Sequence, residues 1–127
     1  MIAVEVKDLT HSINNKKILN NINFNLNKDS ISCILGPSGS GKTTLLKLIA
    51  GLEKVQSGKI IINGEEVSST AKHLPTEKRK IGFLFQDYAL FPHLTVKENL
   101  RFPTNVKNST NNVDEIIELI KLPNSLD

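Results

Sequence analysis

Apolar and polar residues alternate in two segments near the start of the chain, residues 2–9 and a second segment that begins at Ile18. A period of two is typical of a β-strand that buries one face and exposes the other. A polar turn at residues 14–17 separates the two segments. We therefore expect an antiparallel pair of strands with one face in water. The alternating apolar residues are Ile2, Val4, Val6, Ile22, Phe24 and Leu26.

Two further segments are apolar on both faces. Residues 31–35 read Ile-Ser-Cys-Ile-Leu, and residues 81–85 read Ile-Gly-Phe-Leu-Phe. A short run without alternation is typical of a strand that is covered on both sides in a parallel sheet. Both segments are therefore predicted to be buried strands.

A helix and a hairpin are predicted between these two segments. Apolar residues recur after the glycine-rich residues 36–41 at the spacing of one helix face. Gly58 returns the chain to an extended segment, and Asn63-Gly64 is a strong signal for a two-residue hairpin turn. The predicted apolar helix face consists of Leu45, Leu48, Ile49 and Leu52.

From Thr95 onwards, the chain is predicted to form two helices joined by a loop. Thr95 and Glu98 have the spacing of a capping box, in which each side chain satisfies the other residue's backbone N–H group. A polar loop is expected over residues 104–112. A short amphipathic helix is then expected to begin at Val113 and to end before Pro123.

Charge and composition exclude several classes of protein. The net charge of +3 comes mostly from scattered lysines, whereas nucleic-acid binders concentrate basic residues with interleaved aromatics. No stretch approaches the roughly 18 apolar residues of a membrane span, and the first residues do not form the apolar core of a signal peptide. Cys33 is the only cysteine, so no internal disulfide can form. We expect a cytosolic protein with no nucleic-acid partner.

Residues 36–43 carry the strongest chemical signal. They read Gly-Pro-Ser-Gly-Ser-Gly-Lys-Thr and fit the phosphate-loop pattern G-x-x-x-x-G-K-[ST] without a gap. Glycines let consecutive backbone N–H groups surround a phosphate, and the helix that follows directs its positive end to the same point. Lys42 is predicted to reach the β- and γ-phosphates, and the Thr43 hydroxyl is predicted to ligate Mg²⁺.

The chain resembles the ATP-binding subunit of ABC transporters over nearly its whole length. The phosphate loop, its continuation to Leu52 and the Asn63-Gly64 hairpin match that family, and residues 81–99 resemble its Q-loop region. The resemblance implies an α/β P-loop NTPase with an N-terminal antiparallel β-subdomain. Residues 1–92 would form the ATP-binding core, and residues 93–127 the start of an α-helical subdomain. The chain is expected to be an incomplete, N-terminal portion of such a domain.

The same resemblance implies a function. The chain is expected to bind ATP and Mg²⁺ as the energy-coupling subunit of an importer for ferric iron, another inorganic ion, a polyamine or a sugar. Gln86 falls on the Q-loop glutamine and would approach the Mg²⁺ or the attacking water. The implied nucleotide-binding residues are Gly36, Pro37, Ser38, Gly39, Ser40, Gly41, Lys42, Thr43, Thr44 and Gln86, and the implied metal ligands are Thr43 and Gln86.

Partners follow from the resemblance as well. They would be the transmembrane permease subunits and a second nucleotide-binding subunit, with the protein peripheral at the cytoplasmic face of the membrane. The segment that follows Gln86 contains four candidate residues for the permease-facing surface. Ordinary core packing is the alternative interpretation of these residues. These residues are Tyr88, Leu90, Phe91 and Pro92.

One departure from the family is local. The family stacks adenine on an aromatic residue in the loop between the first two strands, and Ile13 stands at that position. Without stacking, which is worth roughly 1–3 kcal/mol, ATP affinity would fall by about one to two orders of magnitude. His11, close by, is expected to be exposed.

A second departure concerns catalysis. The family's Leu-Ser-Gly-Gly-Gln signature loop, its Walker B strand and its switch histidine do not occur in the 127 residues. Asp114-Glu115 follows polar asparagines rather than a hydrophobic strand, so it does not fit Walker B. No catalytic residue is predicted, and the chain alone is expected to bind ATP without hydrolysing it. A naturally short, non-hydrolytic nucleotide-binding module and another P-loop ATPase remain the alternatives.

Overall fold

The computed structural model describes residues 1–102 together with Glu115 and Glu118. The chain divides into two compact units, Met1–Phe83 and Leu84–Asp127. The predicted loop at residues 104–112 and the predicted helix that begins at Val113 lie outside the described residues, apart from those two glutamates. The described elements are β1 (Ile2–Ile13), β2 (Lys16–Asn27), α1 (Lys42–Ala50), β3 (Ser57–Ile62), β4 (Glu65–Ser69), a 3₁₀ turn (Thr76–Lys78) and α2 (Val96–Arg101).

The first unit contains an antiparallel sheet with the strand order β2-β1-β3-β4. The predicted antiparallel pair is confirmed as β1 and β2, and β1 extends four residues beyond the predicted end at Leu9. The predicted hairpin joins β3 to β4. Asn63 and Gly64 both have positive φ, 49° and 82°, which is the geometry of the two-residue turn that matches strand twist.

Helix α1 packs its apolar face on this sheet. Leu45 and Leu48 are buried, as predicted, among side chains from all four strands. The prediction for Leu52 is wrong, because α1 ends at Ala50 and Leu52 is 41% exposed. Gly51 ends the helix in the left-handed conformation, with its N–H donating to Leu48 O. The core consists of Val6, Leu9, Leu19, Leu45, Leu48, Val55, Ile60, Ile62 and Val67.

The two predicted buried strands are wrong. Residues 31–35 form no strand, and Ile31 and Leu35 are 98% and 91% exposed. Residues 81–85 form no strand either, and Leu84 is exposed. Apolar composition on both faces is not sufficient for a strand, because a strand also needs a neighbour to complete its hydrogen-bond ladder. Within the described residues, β1 to β4 pair with one another and not with residues 31–35.

The second unit contains α2, and the predicted capping box at its start is confirmed. The Thr95 hydroxyl accepts from Glu98 N at 3.2 Å, and Glu98 Oε2 accepts from Thr95 N at 2.8 Å. The hydrogen bond from the Thr95 backbone, followed by that from the Thr95 hydroxyl, lowers the pKa of the Glu98 carboxyl. None of the helices formed by the described residues has the length and apolar character needed to cross a membrane.

Candidate functional site

Residues 36–41 form an exposed loop that leads directly into α1. The loop closes with a hydrogen bond of 3.2 Å from Ser40 N to Pro37 O. Gly41 is the residue before the helix and has φ 93°, a conformation that side chains disfavour. A Cβ at this position would lie 2.8 Å from Ile18 Cγ2 and 2.9 Å from Leu19 Cδ2. Only glycine therefore lets the chain pass β2 at this distance and turn into the helix.

The N-terminus of α1 is electrostatically open. Among the described residues no side chain caps it, and its first turn contains no acidic residue. The first N–H groups of a helix lack intrahelical acceptors and carry the positive end of the helix dipole. Such an end, following a glycine-rich loop, has the donor set that binds a phosphate group. A polyphosphate therefore fits the residues present.

The Lys42 ammonium group lies against the same loop. Lys42 Nζ donates to Gly36 O at 2.6 Å, to Pro37 O at 2.7 Å and to Ser40 Oγ at 3.3 Å. These contacts hold a positive charge beside the backbone N–H groups of the loop. Thr43, in the first turn of α1, is exposed and offers one hydroxyl oxygen. Mg²⁺ needs few protein ligands when phosphate oxygens and water complete its octahedron, so a single hydroxyl fits this role.

An apolar cavity of about 560 Å³ adjoins the loop in the first unit. Its walls include the apolar side chains of β2, and one end is formed by loop residues such as Pro37 and Ser40. The alternation predicted for β2 is thus found: its asparagines are exposed, and its apolar residues line this cavity together with Asn25. The apolar residues in its walls are Leu19, Ile22, Phe24, Leu26, Ile34, Leu35 and Leu45.

Ile13, at the position expected to cover the base, is 41% exposed and ends β1. The expectation for His11 is wrong, because this side chain is buried with 6% of its surface exposed. His11 faces the chain that follows α1, where its Nε2 lies 3.5 Å from Glu53 Oε2. A register shift in β1 explains the error. The alternation that buries Val6 would expose His11, but the pairing of β1 with β2 shifts register between Val6 and Leu9. The shift reverses the alternation, so that Leu9 and His11 are buried.

A buried arginine at the other end of α1 was not predicted. Arg79 is 3% exposed and donates to the carbonyl oxygens of Leu48 and Ile49 at 3.1 and 2.9 Å. Burial lowers the pKa of its guanidinium group. The sequence contained no signal for this contact, since its acceptors are backbone carbonyls that any residue supplies.

Gln86 belongs to the second unit, where it lies in an exposed turn. The next two residues, Tyr88 and Ala89, have positive φ of 62° and 42°. Non-glycine residues in this region each cost about 1 kcal/mol or more, so the turn is strained. Of the residues proposed for a partner surface, Tyr88 and Leu90 are strongly exposed, which favours a surface role over core packing.

Asn99 organises the chain that follows this turn, and it too was not predicted. Its Oδ1 accepts from Phe91 N at 2.9 Å, and its Nδ2 donates to Phe91 O and Leu94 O at 3.1 Å and to Thr95 O at 2.9 Å. One carboxamide thus fixes the backbone of residues 91–95. An apolar pocket of about 350 Å³ lies beside it, lined by Leu90, Phe91, Pro92, Leu94, Val96, Asn99 and Leu100.

Comparison with known proteins identifies the family to which the chain belongs. The family model described as ABC transporter matches residues 19–127. The chain is 44% identical over 108 residues to the spermidine/putrescine import ATP-binding protein PotA of Pasteurella multocida, which covers 85% of this chain and 28% of that protein. It is 40% identical over 124 residues to PotA of Thermotoga maritima, covering 94% of this chain and 33% of that protein. The chain therefore spans about a third of the length of these relatives.

Solved structures show the same fold. A dimeric ATP-binding cassette in a post-hydrolysis state, bound to ADP and Pi, superposes with a TM-score of 0.76 at 29% identity, covering 97% of this chain and 59% of that one. A dimeric bacterial ABC transporter cassette superposes with a TM-score of 0.73 at 26% identity and the same coverage. This chain is a member of the ABC transporter family and corresponds to part of its ATP-binding domain, a P-loop NTPase fold.

Proposed function

We propose that the chain binds Mg-ATP at the N-terminus of α1, as part of the energy-coupling subunit of an ABC importer. The observation that carries this proposal is the exposed glycine loop at residues 36–41. The Lys42 ammonium lies within 2.6–3.3 Å of the loop's oxygen atoms, and the uncapped N-terminus of α1 follows directly. Backbone N–H groups and one cation converge there on a surface accessible to a large anion.

Each residue of the loop has a defined part in this proposal. Gly39 and Gly41, both with positive φ, shape the backbone around the phosphates. Lys42 supplies a charge that can move from the loop oxygens to the β- and γ-phosphates. Thr43 holds Mg²⁺ through its hydroxyl, and Thr44 adds a donor in the first turn. When bound, Mg²⁺ supplies charge neutralisation between the phosphates. The full proposed set remains Gly36, Pro37, Ser38, Gly39, Ser40, Gly41, Lys42, Thr43, Thr44 and Gln86.

The proposed partner surface is the exposed apolar stretch that begins at Tyr88. A permease subunit would cover the exposed side chains of Leu90 and Phe91, and burying this apolar surface would stabilise the complex. Gln86, two residues before Tyr88, would connect this surface to the metal and the attacking water. A second nucleotide-binding subunit is proposed from the dimeric cassettes that the fold resembles.

The proposed solute is a polyamine. Curated relatives that are 40–45% identical to this chain are named as spermidine/putrescine import proteins. In the complete protein, ATP hydrolysis would drive this import at the cytoplasmic face of the membrane. Residues 1–92 would be the ATP-binding core and residues 93–127 the start of the helical subdomain. These 127 residues alone are proposed to bind ATP without turnover.

Calorimetric titration of the purified chain with Mg-ATP tests the proposal. Lys42→Ala removes the ammonium group from the loop, and Lys47→Ala is the matched control, since Lys47 lies on the same helix, outside the loop. Loss of a charge-assisted contact of about 1.5–3 kcal/mol should weaken binding by roughly tenfold to a hundredfold in Lys42→Ala. Lys47→Ala should bind like the unmutated chain. Equal affinity in folded Lys42→Ala would contradict the proposal, and phosphate release by the unmutated chain would contradict binding without turnover.

A further inference from the structure

The guanidinium group of Arg79 makes five hydrogen bonds in the first unit. It donates from Nε to Leu74 O at 2.7 Å, from Nη1 to Leu48 O at 3.1 Å and to Ile49 O at 2.9 Å, and from Nη2 to Val67 O at 3.3 Å and to Ser68 Oγ at 2.6 Å. All five acceptors are uncharged. Within the described residues, no carboxylate lies within ion-pair distance of this side chain. A buried cation is thus held by backbone and hydroxyl oxygens alone.

A buried, unpaired charge is costly unless its surroundings compensate for it. The compensation here comes from the C-terminus of α1, because Leu48 O and Ile49 O are among the last carbonyls of the helix and carry the negative end of its dipole. Gly51 lets the guanidinium come this close: a Cβ on Gly51 would overlap Arg79 Nε and Cζ. The end of the helix and the arginine therefore form one tightly packed unit.

The same side chain connects three elements. Besides the end of α1, it contacts Val67 and Ser68 on β4 and Leu74 in the loop that leads to the 3₁₀ turn. Helix α1 has nine residues and is therefore about 13 Å long. A short, stiff rod whose C-terminal end is fixed has a defined direction at its N-terminal end.

We propose that Arg79 is a positioning residue for the phosphate-binding end of α1. By fixing the C-terminal carbonyls of the helix to β4 and to the loop at Leu74, it sets the direction in which Lys42 and the first-turn N–H groups face a polyphosphate. Because this role presupposes the proposed nucleotide site, it deepens that proposal. Arg79 itself contacts no phosphate in this account, so its effect is transmitted through the helix.

The test compares affinity with stability in matched variants. Arg79→Lys keeps a positive charge but cannot reach five acceptors in a fork, and Ser68→Ala removes only the acceptor at 2.6 Å. Ile62→Ala is the control, because Ile62 is a core residue of β3 that makes none of these hydrogen bonds. For each variant, urea unfolding followed by circular dichroism gives the stability. Calorimetry at a temperature where the variant is folded gives the dissociation constants for Mg-ATP and for inorganic triphosphate.

Arg79→Lys should weaken Mg-ATP and inorganic triphosphate by the same factor, about tenfold, because the change lies in the phosphate seat and not in the base contacts. Ser68→Ala leaves the charge of Arg79 in place and should weaken the binding of both ligands by about threefold. Ile62→Ala should lose as much stability as Arg79→Lys while its dissociation constants stay within about twofold of the unmutated chain.

Each alternative outcome has a separate meaning. If Arg79→Lys and Ser68→Ala lose stability but bind both ligands as tightly as the unmutated chain, Arg79 has only a structural role and the inference is wrong. If Arg79→Lys does not fold, unchanged affinity in Ser68→Ala is sufficient to overturn it. If the unmutated chain does not bind Mg-ATP, or binds it equally well as Lys42→Ala, the proposed function itself fails.

Discussion

The two ends of α1 are built in opposite ways. At the N-terminal end, the loop at residues 36–41 is exposed, and the donors of the first turn have no side-chain cap among the described residues. At the C-terminal end, the acceptors are buried, and Arg79 donates to two of them. The positive end of the dipole thus faces solvent, whereas the negative end is neutralised inside the protein. The N-terminal end is suited to bind an anion, and the C-terminal end holds the helix in place when the anion binds.

A side chain at the turn before the N-terminal end of α1 should have the largest effect, on Mg-ATP affinity. In Gly41→Ala the new methyl group meets Ile18 and Leu19 at less than 3 Å, and φ 93° disfavours any side chain. The end of the loop and the start of α1 must move away from β2, so Mg-ATP affinity is expected to fall by more than about a hundredfold, equivalent to roughly 3 kcal/mol. Calorimetry measures this loss. Gly82→Ala is the control, because a Cβ there meets no atom within 4 Å. Unaltered affinity in folded Gly41→Ala would show that the turn does not shape the site.

Disrupting the contact between Arg79 and the C-terminal end of α1 should have the next largest effect, on the stability of the fold. In Gly51→Ala a methyl group enters the space of the Arg79 guanidinium, at a residue with φ 83°. The free energy of unfolding is expected to fall by about 1–3 kcal/mol, which urea unfolding measures. A variant as stable as the unmutated chain would mean that the contact between Arg79 and the end of the helix is not tight.

A change in the second unit shows whether the effects are specific to α1. In Asn99→Asp a carboxylate oxygen replaces an amide group that donates to three carbonyl oxygens, so the backbone of residues 91–95 loses these bonds. Amide hydrogen exchange in this segment should accelerate by about tenfold, while Mg-ATP affinity stays within about twofold. Asn20→Asp, at an exposed position of β2, is the control. Unchanged exchange in Asn99→Asp would contradict the role given to this carboxamide.

The smallest expected effect is the pH dependence of the α2 cap. The folded-state pKa of Glu98 is lowered, so its contribution is present above the ordinary carboxyl pKa and is lost as pH falls through the lower folded value. In an acid titration followed by NMR, the Thr95 amide shift should change over that range, and Glu98→Gln should abolish the change. A Thr95 shift that titrates equally in both proteins would exclude the cap as its cause.

The features predicted from sequence are those whose cause is local. The alternation in β2, the Asn63-Gly64 turn and the capping box at Thr95 each depend on a few adjacent residues, and each is found. The apolar composition of residues 31–35 and 81–85 predicts strands that are covered on both faces, but neither segment forms a strand. Whether a segment pairs as a strand depends on residues far away in the sequence.

The contacts of Arg79 and Asn99 could not be predicted for a related reason. The acceptors of Arg79 extend from Leu48 to Leu74, and those of Asn99 are backbone oxygens between Phe91 and Thr95. Except for Ser68 Oγ, these acceptors are backbone carbonyls, which are identical in every residue, so no spacing in the sequence marks them. Only the folded arrangement of α1 and β4, or of α2 and the loop before it, identifies these two side chains.

The contrast between the two ends of α1 can be tested by one NMR titration of the ¹⁵N-labelled chain with Mg-ATP. The amide resonances of residues 38–44 should shift in a saturable way, and those of residues 48–51, next to Arg79, should shift far less. Saturable binding that leaves the resonances of residues 38–44 in place would contradict the assignment of the N-terminal end of α1 as the polyphosphate site.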